Sequence, residues 1–153
     1  MKWLLILVLV SAAPAGAEEP HRPTYDAALA RKLGADEYGM KMYALVLLKK
    51  GPHGGLSKDE ATRVFAGHMA NIKRLAASGQ LAFAGPLEEN ERYEGIFVFN
   101  VATIAEADAL LATDPAVQAG ALAGEVYLLY GSAALQQVTA LHNRISRELP
   151  SSR

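Results

Sequence analysis

Residues 57–79 read SKDEATRVFAGHMANIKRLAASG, and the reading of this stretch decides the fold. Ser57 and Glu60, three residues apart, form a capping box: the serine oxygen takes an orphan N–H of the first turn and the glutamate reaches back. Ala61, Val64, Phe65, His68, Ile72, Leu75 and Ala76 recur at three- and four-residue spacing, so they share one face. Lys58, Asp59, Arg63, Asn71, Lys73, Arg74 and Ser78 make the opposite, solvated face. Gly79 supplies the left-handed residue that ends the helix. A helix with this apolar stripe needs a surface to bury it against, and His68 is aimed at that surface.

The flanks supply strands. Upstream, 42–48 (MYALVLL) is a continuous apolar run bounded by Lys49, Lys50, Gly51 and Pro52 and reads as a first strand. The GPHGG loop at 51–55 reads as a mobile lid. Downstream, 81–84 (LAFA) is a short second strand halted by Gly85 and Pro86, and 96–101 (IFVFNV) is a third. Thr103 with Glu106 repeats the capping box and opens a helix ending near Thr113. Asp114 and Pro115 start a further short turn, because proline suits the first helical position. Residues 126–130 (VYLLY) are a fourth strand. Ser132 caps a last amphipathic helix in which Leu135, Val138, Leu141, Ile145 and Leu149 align. Ahead of the first strand, Thr24 caps a short helix closed by Gly34. The order β-α-β-β-α-β predicts an α+β fold, a ferredoxin-like sandwich spanning 40–132 with both helices on one face of an antiparallel sheet. Residues 18–39 form a leader and short helix, and 133–153 a C-terminal helix.

An antiparallel sheet with one wet face alternates apolar and polar residues. The first, third and fourth strands do not alternate, so both faces need cover while two helices cover only one. Either a second subunit packs sheet to sheet, making a homodimer, or the terminal helices fold over the remaining face.

The composition bounds the function classes. Residues 1–17 (MKWLLILVLVSAAPAGA) combine a basic Lys2, an apolar run and a small-residue A-x-A site, the pattern of a secretory signal peptide. The expected location is periplasmic or secreted, and no membrane span remains after cleavage. The chain has no cysteine, so its core alone holds it together. A formal charge of −1, with no basic stripe, excludes nucleic acid as the expected partner.

His68 is the residue that could carry chemistry. It is either a hydrogen-bonded core histidine or a general base in a partly dry cleft, where desolvation favours the neutral imidazole. A carboxylate beside it would fix the tautomer, and Asp114 is the candidate; alone, Asp114 reads as a helix cap. His53 lies in the glycine loop, whose spacing fits no phosphate-binding pattern. His21 is in the leader. His142 is in the last helix and could approach His68 and Asp114, but no pair has metal-ligand spacing, and neither metal nor cofactor is expected. Ser132 reads as a cap, and Tyr43, Tyr127 and Tyr130 as packing residues.

Together, GHMANIKRLAASGQLAFAGPL at 67–87, the Ala105–Asp108 helix start AEAD and the Thr113-Asp114-Pro115 step resemble the YciI-like (YCII-related) family of dimeric α+β-barrel proteins. The resemblance spans about 40–132. It implies a ferredoxin-like subunit, a homodimer formed through sheet faces, and an active-site His–Asp pair, here His68 and Asp114. It also implies kinship with small-molecule enzymes such as muconolactone isomerases, and with a dehydrochlorinase of chlorinated aromatics. The function expected is a cofactor-independent isomerase or lyase acting on a small molecule, with a non-catalytic ligand-binding module or a structural dimer as the alternatives.

Overall fold

The computed structural model describes residues 24–89 and 91–147. The expected signal peptide, His21 and Leu149 lie outside the described residues. In order, the chain forms α1 (Ala27–Leu33), β1 (Met40–Lys50), α2 (Lys58–Ala77), β2 (Leu81–Pro86), β3 (Gly95–Phe99), α3 (Ile104–Leu111), α4 (Pro115–Gln118), β4 (Leu122–Ser132), a 3₁₀ turn (Ala133–Gln137) and α5 (Val138–Ile145). The four strands make one antiparallel sheet in the order β2-β3-β1-β4. This is the ferredoxin-like arrangement that the order of elements predicts.

Register explains which side chains go where. Ala44, Val46 and Leu48 of β1 alternate into the same core as Phe97 and Phe99 of β3, Leu75 of α2 and Ala107 and Leu111 of α3. All are buried, and each large apolar side chain removed from water contributes about 1.5–3 kcal/mol. The helices press closely on this face. A Cβ on Gly124 of β4 would lie 2.6 Å from Leu111 and 2.7 Å from Val46, so glycine is what lets α3 settle there.

Strand ends depart from the sequence reading. Both β1 and β4 are 11 residues long and pair over their whole length, Met40 with Ser132 through Lys50 with Leu122. β2 continues through Gly85 to Pro86 because it is an edge strand, where a missing N–H costs no ladder bond. The first helix is capped by Asp26, which accepts from the N–H groups of Ala28 and Leu29, and not by Thr24. The glycine loop is anchored along its first half. Gly51 N–H donates to Ala121 O and His53 N–H to Gly120 O, leaving only Gly54 and Gly55 with open space around them.

The opposite face is partly covered from within. Tyr43, Ala82 and Val98 are buried there beneath Leu135 of the 3₁₀ turn. The Tyr43 hydroxyl donates to Ser132 O, and burial pushes its ionisation up. A polar relay fastens this cover to the sheet. Lys41 Nζ donates to Asn100 Oδ1 at 2.6 Å, Asn100 Nδ2 donates to Gln136 Oε1, and Gln136 Nε2 donates to Leu33 O. Asn100 Nδ2 also donates to Gly79 O and so holds the end of α2. The last helix splits into the 3₁₀ turn and α5, whose Leu141 and Ile145 remain exposed.

Asp36 closes the α1–β1 turn. Its side chain accepts from the Tyr130 hydroxyl on β4 and from the N–H groups of Tyr38 and Met40. Chiefly the Tyr130 hydroxyl, then the Met40 N–H, hold the Asp36 carboxyl below its ordinary value of 3.8. The same bond raises the Tyr130 phenol above 10.0. The aspartate contribution is therefore present above about 3.8 and is lost as pH falls through the lowered folded value. The tyrosine contribution is present below about 10 and is lost as pH rises through the raised one. Tyr130→Phe is expected to lower stability at neutral pH in urea titrations, with the gap to wild type narrowing at both extremes.

Candidate functional site

The α3–α4 turn brings the site together. Thr103 and Glu106 form the expected capping box at the start of α3, which ends at Leu111. Asp114 then stands in an extended conformation as the N-cap of α4, with Pro115 at its first position. Its Oδ1 accepts from the Ala116 N–H at 2.8 Å. The other oxygen, Oδ2, lies 2.8 Å from His68 Nδ1. Cap and histidine partner are thus one carboxyl group with both oxygens engaged. Asp114 is 0% exposed and His68 8%.

The ring of His68 is held on its faces as well. It stacks on Phe97 with 5.8 Å between centroids and 24° between planes, and it meets Phe65 at 6.0 Å and 36°. With a carboxyl oxygen as the acceptor, the neutral ring carries its proton on Nδ1 and presents a lone pair at Nε2. Nε2 has no hydrogen-bond partner among the described residues. No buried side-chain nitrogen or oxygen among them lacks a partner, so Nε2 touches solvent. The ring is thus largely enclosed, with Nε2 in contact with solvent.

Helix α2 stands close to the turn for a reason written in residue 67. A Cβ on Gly67 would lie 3.0 Å from Pro115 Cγ and 3.1 Å from its Cβ. Glycine inside a helix costs about 1 kcal/mol relative to alanine, and here it permits the approach that brings His68 onto Asp114. One turn further on, Arg74 Nη2 donates to Asn71 Oδ1 at 2.6 Å and to Thr113 Oγ1 at 3.0 Å. The Thr113 hydroxyl donates to Leu110 O at 2.7 Å and lies 3.2 Å from Asn71 Oδ1. Asn71 is only 7% exposed. It belongs to the packed side of α2, and the sequence reading that set it among solvated residues is corrected. Phe65, read as inward, is 44% exposed.

The other candidates stay apart from this pair. The His53 ring lies against Gly120 and is exposed. His142 is exposed on α5 and bonds to neither His68 nor Asp114, correcting the expectation that it could join them. Among the described residues, no group of three or more His, Cys, Asp or Glu side chains is placed to hold a metal ion. Ser132 caps the 3₁₀ turn. Tyr127 donates to Glu125, and neither Tyr43 nor Tyr130 reaches the pair. An open surface patch runs along the outer side of α2 past Ala61, Phe65, Ala66 and Met69. His68 and Asp114 do not line it, so it is not the partly dry cleft expected at His68.

Fold and site define an α+β subunit of ferredoxin-like topology whose central helix holds a histidine on a buried capping aspartate. The YCII-related domain matches residues 42–128, more than half of the chain. The chain belongs to the YCII-related family. No curated protein matches it.

Gly67→Val would drive a branched side chain into the Pro115 ring. The expected result is a loss of about 1–3 kcal/mol in denaturant titration, together with displacement of the His68 ring signals in NMR spectra.

Proposed function

We propose that this chain is an exported, homodimeric small-molecule enzyme of isomerase or lyase type. His68 takes and returns a proton through Nε2, and Asp114 orients the ring. The single observation that supports it best is the 2.8 Å contact between His68 Nδ1 and Asp114 Oδ2, which leaves the opposite nitrogen of a buried imidazole unpaired and in contact with solvent. A base so placed suits removal of a proton beside a carbonyl, followed by reprotonation elsewhere or loss of a leaving group. Such chemistry needs no cofactor. Export rests on the pattern of residues 1–17, and no helix among the described residues is long and apolar enough to cross a membrane.

The dimer forms through the open sheet face. Leu45, Leu47 and Ile96 point there from β1 and β3 and are only partly buried, beside Tyr127 at 49% exposure. A polar rim bounds them: Lys49 pairs with Glu125 at 2.6 Å, and Tyr93 and Tyr127 donate to the same carboxylate. An apolar centre with a polar rim is how subunit interfaces are built. Sedimentation of the mature chain is expected to read a dimer, and Leu47→Arg a folded monomer.

The alternative reading is a non-catalytic module that captures a small apolar compound. The observation favouring it is the open apolar patch beside the half-exposed Phe65, which the dyad does not line. Hydrogen–deuterium exchange at carbon separates the two. Enolisable ketones and lactones incubated in heavy water with the wild-type chain are expected to exchange α-protons for deuterium. His68→Ala is expected to slow that exchange by about 10²–10⁴. Equal exchange by wild type and variant would contradict the enzymatic reading.

A further inference from the structure

Asn71 is a buried amide with half of its hydrogen-bonding capacity unused. Arg74 Nη2 can only donate, so the amide atom facing it at 2.6 Å is the oxygen. The Nδ2 amine is thereby turned away from Arg74 with both protons free, for no residue among those described accepts from it. The residue is 7% exposed, and no buried side-chain nitrogen or oxygen among the described residues is left unpartnered, so Nδ2 touches solvent as Nε2 of His68 does. The two residues stand three apart on the packed face of α2, which puts their Cβ atoms about 5–6 Å from each other. A lone pair and a free N–H donor thus project from adjacent positions of one rigid helix. Both are tied to the same turn, one through Asp114 and the other beside Thr113.

We propose that the Asn71 amide donates to the carbonyl oxygen of the substrate while His68 removes the neighbouring proton; this rests on the proton-transfer reading of His68. The C–H bond breaks toward Nε2, its electron pair becomes a C=C bond, and the carbonyl π pair moves onto oxygen. The developing enolate oxygen accepts the Nδ2–H bond, which strengthens as the charge grows. Collapse of the enolate either returns the proton from Nε2, at the γ-carbon where a conjugated C=C extends the enolate, or expels a leaving group with its bonding pair from the β-carbon. The ligand class is a carbonyl compound with an acidic α-proton. Arg74 and Thr113 are positioning residues here, because they set which end of the amide faces outward.

The test uses 4-nitrophenolate, a stable aromatic oxyanion that mimics an enolate, titrated into the full chain and followed by nitrogen-edited NMR. The Asn71 side-chain NH₂ pair and the His68 ring signals are expected to shift together along one binding curve. Asn71→Asp keeps an acceptor for Arg74 and removes the donor, and it is expected to weaken Kd about tenfold or more. Asn71→Leu keeps the volume and serves the same purpose should the aspartate disturb folding. If His68 shifts while the Asn71 amide stays still and both variants bind as wild type does, the role of Asn71 is overturned and the His68 site stands. If neither residue responds to the probe, both are overturned. Should neither variant fold, the amide shift in the wild-type chain decides alone.

Discussion

Everything near the site depends on how one carboxyl group is shared. Asp114 has one oxygen on the backbone N–H of Ala116 and the other on the imidazole of His68, and it is shut away from water. A buried carboxyl left without partners would cost several kcal/mol, so α2 and the α3–α4 turn are held at a fixed distance by the need to keep both bonds. Gly67 against Pro115 sets the closest approach, and the Arg74–Asn71–Thr113 contacts fix the rotation one turn on. Phe97 of β3 then supplies the surface on which the ring lies. The imidazole has little freedom, which is what a proton carrier with a single open nitrogen requires.

The sheet is asymmetric in a way that separates the two functions proposed for it. Its helix side is filled by Leu75, Ala107, Leu111 and their partners, and there the dyad is built. On the other side the 3₁₀ turn covers Tyr43, Ala82 and Val98, while Leu45, Leu47 and Ile96 remain partly exposed. The polar relay from Lys41 to Leu33 makes the cover part of the subunit. Self-coverage by a terminal segment and the proposed sheet-to-sheet association therefore apply to different parts of one face.

The fold was legible because its signals are local. Two capping boxes, Ser57–Glu60 and Thr103–Glu106, mark helix starts that the structure reproduces, and Gly79 ends α2 with φ 73°. Strand ends were less legible. Gly124, Glu125 and Gly131 have poor strand propensity, yet they pair in β4 because β1 is long enough to hold them. The contact between His68 and Asp114, 46 residues apart, follows from no spacing rule: Asp114 was a candidate carboxylate by residue type, and the family resemblance paired the two. The buried position of Asn71 has no periodic signal. A helical wheel assumes one buried side, whereas α2 packs against the sheet and also against the α3–α4 turn, and the second neighbour is invisible to periodicity. A capping aspartate that also takes a histidine likewise has no signature beyond the cap.

The most direct measurement of the central claim is the tautomer of His68, read from the ring nitrogen resonances of the neutral, labelled protein. The expected result is a protonated Nδ1 whose proton is shifted downfield by Asp114, with Nε2 unprotonated, and loss of that proton signal in Asp114→Ala. A ring found protonated at Nε2 instead, with no response to loss of Asp114, would contradict it.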